Sequence, residues 1–282
     1  MNPNTTNSVC ILGHGITYSR SPLIHNYWIE KYGVDSQYGI CDLPAEKLPG
    51  FLSSIRDGKS AGCNVTTPYK QTVIQYLDAI DDAASGIGSV NTIYRRDGLL
   101  RGTSTDGAGY IGHLTNTHPD LQLKNARVLV LGAGGAARSI ADALVQSGCS
   151  VIYIANRTLQ KAREIAALQP DIIEPLAWDD LQSIAGLVDL LVNTTSLGMV
   201  GRQPLLFPLE NTQPDCVVSD IVYAPLETEL LAQASSLGRP VLDGLGMLLH
   251  QAVPGFQLWF GIKPQVTDEL RALVEQDLLS HG

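Results

Sequence analysis

Positive charge, aromatic rings and cysteine pairs are all scarce in this sequence. Of 282 residues only 19 are Lys or Arg against 28 Asp or Glu, a formal net charge of −9. Nucleic acids and anionic membrane surfaces are gripped by clustered Lys and Arg, so neither is expected as a partner. A locally positive cleft for a small anion is still allowed, because charges are screened over about 8 Å at physiological salt. Aromatic residues make up 6%, and Trp28, Trp178 and Trp259 read as core anchors rather than base-stacking platforms. No apolar run reaches the ~18 residues of a membrane span. The first residues lack the basic-then-apolar pattern of a secretory signal. Five cysteines, Cys10, Cys41, Cys63, Cys149 and Cys216, are far apart, odd in number and form no C-x-x-C, as expected of reduced thiols buried as small hydrophobes in a cytoplasmic protein. No H-E-x-x-H or Cys/His cluster calls for a metal. There is no fixed-period repeat and no low-complexity tract; disorder is expected only in the polar start, Met1 to Ser8.

What the sequence does hold is apolar residues, 44% of the chain, in short runs that alternate with helical patterns. From Val9 to about Gly102 these are "VCILG", "SPLIHNYWIEKYG", "QYGIC", "PAEKLPGFLSSIRDG" and "AGCNVTT", an alternation that makes parallel β-α-β units. Pro22 and Pro44 sit where first helical turns begin, and Gly33 and Gly58 where helices stop. Asp97-Gly98, between two apolar stretches, predicts a hairpin turn. A second series runs from Val128 through "RVLVLG", "SVIYIANR", "LVDLLVNTT" and "CVVSDIVY". The fold class is α/β with two domains. The boundary is expected near Asp106 to Gly112, and the helical tail from Leu245 is expected to cross back. The expected domains are therefore 1–106 plus 245–282, and 107–244, with the whole a monomer or homodimer.

The second series opens on "GAGGAA", which follows a strand and begins a helix. Gly132, Gly134 and Ala137 form the G-x-G-x-x-A dinucleotide fingerprint, with Ala133, Gly135 and Ala136 between and beside them. The first glycine makes the turn, the second admits the pyrophosphate, the small third residue packs helix on strand, and helix N–H groups face the phosphates. An NAD site wants an acidic residue at the end of the next strand. Here that strand ends in Asn156, Arg157 and Thr158, with Lys161 one helical turn on. A guanidinium there can hold a 2′-phosphate by charge-assisted bonds, so the expected cofactor is NADP. The other glycine pair, Gly13 and Gly15, lacks a small third position because Tyr18 stands there. Ser19 and Ser21, just before a Pro-started helix, can instead converge with backbone N–H groups on a carboxylate.

In order along the chain, "SRSPLIHN", "NVTTPYK", "GIGSVNTI", "STDGAG", "GAGGAAR", "ANRT", "DIVYAPLETELL" and "GLGMLLHQA" resemble the shikimate dehydrogenase family, NADP-dependent enzymes of chorismate and aromatic amino-acid biosynthesis that reduce 3-dehydroshikimate. The resemblance runs from Val9 to the final helix. It implies an N-terminal substrate domain completed by the C-terminal helices, a Rossmann-type NADP domain, and a site in the cleft. It implies Lys70 as catalytic lysine with Asp106 as its partner, Ser19 and Ser21 holding a carboxylate, Asn64 and Thr66 lining the ring site, and Asn91 binding hydroxyl. Tyr223 and Gln251 match residues reaching the substrate, and Asn193, Thr194, Thr195, Ser196 and Met247 match segments near the nicotinamide. Two departures stand out: "HGITYS" replaces His-Pro-x-x-His-Ser, and Ser104 replaces the Asn of Asn-Thr-Asp-Gly. The alternatives are a quinate or aminoshikimate dehydrogenase on the same scaffold, or a non-catalytic NADP-binding module.

Chemically, oxidising a secondary alcohol needs a hydride acceptor, which NADP+ supplies, and a group to take the hydroxyl proton. A free lysine titrates at about 10.4, so acid–base work near neutrality asks the surroundings of Lys70 to favour the neutral amine or relay the proton. Among the histidines, His14 and His250 lie near these residues, His25 sits in an apolar helix, and His113, His118 and His281 have polar sequence neighbours.

Overall fold

The computed structural model describes residues 8–16 and 19–281, with only the backbone of His281. The expectations for Met1–Asn7, for Tyr18 and for the His281 side chain lie outside the described residues. The chain divides into two compact units, Met1–Thr105 with Gln251–Val274, and Asp106–His250 with Glu275–Gly282.

The first unit carries strands β1 (Val9–Gly13), β2 (Tyr38–Asp42), β3 (Gly62–Val65), β4 (Ala79–Ile80), β5 (Thr92–Arg96) and β6 (Leu99–Thr103), with helices α1 (Ser21–Lys31), α2 (Leu48–Arg56) and α3 (Asp82–Ser85). They form one sheet in the order β2-β1-β3-β5-β6-β4. The first three strands are parallel, as helical crossovers require. β5 runs antiparallel to both β3 and β6, so this sheet is mixed. Between β5 and β6 the reversal is local: Asp97 and Gly98 both take positive φ, 54° and 76°, the two-residue turn that matches strand twist and reverses the chain. α1 has Pro22 in its first turn and ends before Gly33, whose φ is 62°. Pro44 instead precedes a short 3₁₀ turn, and α2 starts at Leu48 with Pro49 as its early proline. Leu12, Leu48, Leu52, Ile55, Val65 and Ile93 pack into the core, each fully buried aliphatic side chain being worth ~1.5–3 kcal/mol. Residues 251–274 complete this core. Phe256 meets the buried Trp28 edge-on at 5.6 Å, Trp28 Nε1 donates to Gln265 O at 3.0 Å, and Trp259 Nε1 donates to Ile93 O at 2.9 Å.

The second unit runs α4 (Asp106–Thr117), β7 (Arg127–Leu131), α5 (Gly135–Gln146), β8 (Val151–Asn156), α6 (Leu159–Ala166), β9 (Ile173–Ala177), α7 (Leu181–Ile184), β10 (Leu190–Asn193), β11 (Val217–Asp220), α8 (Glu229–Ser236) and β12 (Val241–Leu242). Its sheet has the order β12-β11-β10-β7-β8-β9 and every pairing is parallel. Both faces are covered: Val128 and Val130 enter one apolar cluster, Leu129 and Leu131 the other. That explains why these strands read as unbroken apolar runs. Two last helices follow, α9 (Gly244–Phe260) and α10 (Asp268–His281). Among the described residues no helix is long and apolar enough to cross a membrane. All five cysteines are free thiols, four of them buried. Burial pushes the thiol of Cys149 up to about 11 and that of Cys216 up to about 12, which keeps both unreactive near neutrality.

Candidate active site

In the first unit the candidate residues gather where β1 and β3 end. Thr66 N donates to Leu12 O at 2.9 Å and Tyr69 N to Thr66 O at 2.9 Å, turning the chain straight after β3 into Lys70. The Lys70 carbonyl accepts from Val90 N at 2.8 Å and the Asn91 carbonyl from Val65 N at 2.7 Å. Lys70 is half-buried, with its backbone stitched beside Asn91. Ser19 Oγ accepts from Ser21 N at 3.3 Å, so its hydroxyl proton can still be donated. Ser21 is buried at the start of α1, whose first turn has no side-chain cap. Upstream, Asp42 Oδ1 accepts from Gly15 N at 3.0 Å and meets His14 Nδ1 at 3.1 Å. These donors hold the Asp42 carboxyl below the usual carboxylate range. Gly15 thus departs from the family proline in a specific way, with a φ of 72° and an N–H that proline lacks.

Beneath these residues lies a buried polar network. Tyr38 OH donates to Asn64 Oδ1 at 2.6 Å, and Asn64 Nδ2 donates to Thr92 Oγ1 at 3.0 Å and Asn91 O at 3.3 Å. Thr92 Oγ1 donates to Asn91 Oδ1 at 2.9 Å. Asn91 Nδ2 donates to Thr105 Oγ1 at 3.0 Å, and Thr105 Oγ1 donates to Gln251 O at 2.8 Å. Thr105 N also donates to Asn91 Oδ1 at 2.9 Å, anchoring the backbone immediately before Asp106. His25 stacks flat on Tyr38, with ring centroids 4.2 Å apart. It is fully buried, no hydrogen bond of ordinary geometry reaches either ring nitrogen, and burial pushes the imidazole down to about 3 against the opposing influence of Asn64.

In the second unit the glycine turn lies where the strand order reverses, between β7 and β10. Gly132 has a φ of 107°, and a Cβ there would lie 2.6 Å from Thr194 Oγ1; only glycine fits. Thr194 N and Oγ1 both donate to Leu131 O, at 2.8 and 2.7 Å, binding the two loops together. Gly134 caps α5 in an extended conformation without a side-chain cap. A methyl built on Gly134 or Gly135 would meet nothing within 4 Å. The open space and the unspent helix N–H groups fit a pyrophosphate. Ala133 and Ala136 are half-buried, Ala137 is fully buried against the sheet, and Arg157, Thr158 and Lys161 are exposed where β8 meets α6. That donor set fits a 2′-phosphate.

Further along this edge, Asn193 Oδ1 accepts from Thr195 N at 2.9 Å and Oγ1 at 2.7 Å, shaping the loop through Ser196. Asn193 Nδ2 in turn donates to Asp220 Oδ1 at 2.9 Å. Asp220 is a buried carboxylate raised by that burial, and it accepts also from Val222 N at 2.9 Å and Thr228 Oγ1 at 2.8 Å, steadying the segment before Tyr223. Met247 is nearly buried in the apolar cluster, and Tyr223 is half-buried. His113, despite its polar sequence neighbours, is buried, stacking on His250 at 5.6 Å. The structure thus joins Asn64, Asn91 and the Gln251 backbone in one network, and Gly132 with Thr194 in another. Lys70 and Asp106 fall in different units. Sequence reasoning passed over Tyr38, Thr92, Thr105 and Asp220; only Thr105, beside Asp106 in "STDG", carried a local signal.

A six-stranded parallel sheet ordered β12-β11-β10-β7-β8-β9, with a glycine turn at its switch point, defines a Rossmann-type dinucleotide-binding α/β protein. Family models described as the shikimate dehydrogenase substrate binding domain, shikimate / quinate 5-dehydrogenase, and the shikimate 5′-dehydrogenase C-terminal domain match residues 11–93, 114–200 and 244–276. A relative from Nitrobacter winogradskyi named shikimate dehydrogenase (NADP(+)) is 46% identical over 275 residues, 98% of each chain. The solved shikimate 5-dehydrogenase of Thermus thermophilus, in complex with NADP(H) and shikimate, aligns over 97% of this chain and 99% of its own with a TM-score of 0.83 and 33% identity. The quinate dehydrogenase of Corynebacterium glutamicum, in complex with NAD, gives a TM-score of 0.88 at 29% identity over 96% of this chain and 99% of its own. The chain belongs to the shikimate dehydrogenase family.

Proposed function

We propose that this chain catalyses the reversible, NADP-dependent reduction of 3-dehydroshikimate to shikimate. The observation that carries the reading is its near full-length similarity to relatives of that name. Within the chain, the reading is supported by a basic rather than acidic end to β8, at Arg157 and Lys161. NADP, when bound, accepts or donates the hydride. The first unit binds the substrate and the second the dinucleotide. Lys70 takes the hydroxyl proton during oxidation and returns it during reduction. Asp106 is its carboxylate partner and a hydroxyl acceptor. Ser19 and Ser21 hold the substrate carboxylate with their hydroxyls, Asn64 and Thr66 line the ring, Asn91 meets a ring hydroxyl, and Tyr223 and Gln251 reach the substrate. Gly132, Gly134 and the start of α5 cradle the pyrophosphate; Asn193 to Ser196 and Met247 lie along the nicotinamide.

Quinate is the second reading, because the loop upstream of the serines, where Gly15 N donates to Asp42, differs from the usual family pattern. The test is a set of initial rates with shikimate and quinate, each with NADP+ and NAD+. The expected result is a kcat/KM at least about 10-fold higher for shikimate with NADP+ than for any other pair, since a mismatched polar group in a built site costs at least that much. Equal rates with NAD+ would remove the cofactor reading. Higher rates with quinate would install the second one, and no turnover with any pair would leave a dinucleotide-binding module.

A further inference from the structure

We infer that Tyr38 and Thr92, both buried residues, are positioning residues for the ring site: their hydroxyl protons fix the amide orientations of Asn64 and Asn91, so that Asn91 meets a ligand oxygen only as a hydrogen-bond donor. The inference rests on the function proposed above and goes beyond it to the polarity of the site.

Each hydroxyl has one proton to give. Tyr38 gives its proton to Asn64 Oδ1 over 2.6 Å, which leaves Asn64 Nδ2 facing Thr92 Oγ1 and the Asn91 carbonyl. A flipped Asn64 amide would set its oxygen against that carbonyl with no proton between them. Thr92, already accepting from Asn64, has its single proton for Asn91 Oδ1, 2.9 Å away. Asn91 Oδ1 accepts from Thr105 N as well, so both its lone pairs are committed. Asn91 Nδ2 donates to Thr105 Oγ1, whose own proton goes to the Gln251 carbonyl at 2.8 Å rather than to the more distant Asn91 Oδ1 at 3.2 Å. The protons therefore all run one way, from Tyr38 to Gln251, through five side chains that are each at most 5% exposed. His25, stacked at 4.2 Å and 4° on the Tyr38 ring, fixes the plane from which the chain starts. A ring oxygen that contacts Asn91 must accept, and a hydroxyl there must send its own proton to another group.

The experiment compares wild type, Thr92→Ser, Thr92→Val and Tyr38→Phe, each alone and with Asn91→Ala, in steady-state shikimate oxidation with NADP+. Wild-type turnover comes first, because its absence would sink the proposed function itself. Losing one such bond is expected to raise the shikimate KM about 10-fold in Thr92→Val, with kcat and the NADP+ KM within about 2-fold of wild type. Thr92→Ser, which keeps the hydroxyl, should restore the KM. In the Asn91→Ala background Thr92→Val should add nothing, since its effect travels through Asn91. Should Thr92→Val fail to fold, Tyr38→Phe reads the same chain from its other end. A KM unmoved by the loss of either hydroxyl would overturn the inference, and so would an equal effect of Thr92→Val in both backgrounds.

Discussion

Between pH 6.5 and about 3, His25 is expected to carry a proton in the unfolded chain and none in the folded one. Its ring is fully buried among Trp28, Tyr38, Phe256 and Trp259, and that burial lowers it to about 3 from an unfolded value near 6.5. Because the unfolded state binds more protons in this window, stability rises with pH there. The contribution is whole above pH 6.5 and drains away as the pH falls, at about 1.4 kcal/mol per unit. At pH 5 the loss amounts to about 2 kcal/mol and at pH 4 to about 3 kcal/mol. The perturbation is His25→Phe, which keeps an aromatic ring on Tyr38 and removes the titration. The assay is urea unfolding of both proteins at pH 7.5, 6, 5 and 4.5, plotted as the difference in unfolding free energy. Asp42 and Asp78, whose carboxyls are held low, lose their contributions as the pH falls through the carboxylate range, but they do so in both proteins and cancel. The difference curve should bend near pH 6.5 and favour the variant progressively below it. Parallel curves across the whole range would refute the neutral, buried imidazole.

Other expectations address the chemistry and the frame that carries it. Lys70→Ala and Asp106→Ala should each lower kcat by at least ~100-fold, the usual scale of acid–base assistance, and turnover retained in either would remove that residue's role. Arg157→Ala should raise the NADP+ KM by about 10-fold while leaving that of NAD+ alone, because a charge-assisted phosphate contact is lost only with the former. A methyl added at Gly246 would overlap the His113 ring, so Gly246→Ala should cost about 1–3 kcal/mol by overpacking, read as a lower urea midpoint; an unchanged midpoint would show that the His113 ring yields freely.

The features legible in the sequence were those written by neighbours in the chain. "GAGGAA" after an apolar run announced β7, the turn and α5 because a strand end, a positive φ and a helix start each restrict residue choice within a few positions. Asp97-Gly98 announced the β5–β6 hairpin for the same reason. The mixed order of the first sheet was not legible, since an apolar run does not record which neighbour it will pair with or in which direction. Nor was the polar network. Tyr38 and Asn64 are 26 positions apart, Asn91 and Thr105 are 14 apart, and Thr105 and Gln251 are 146 apart. Tyr38 reads as one more apolar strand residue, and Asp220 as a stray carboxylate ending a run of valines. Only the resemblance marked Asn64 and Asn91, and it named them as ligands without saying what holds them.

What holds them bears on how such a site keeps its selectivity. An asparagine on a surface can turn its amide to suit whichever group arrives, and so discriminates poorly between a donor and an acceptor. Burial removes that freedom, because an amide turned the wrong way leaves acceptors facing each other without water to separate them, at about 1–3 kcal/mol for each unpaired group. In this fold the orientation is set within the core, by the phenol of a strand residue that the sequence presents as packing. Substitutions beneath the site at Tyr38 or Thr92 are therefore expected to alter which ring oxygen is accepted before they alter the rate of hydride transfer. Those at Lys70 act in the opposite order.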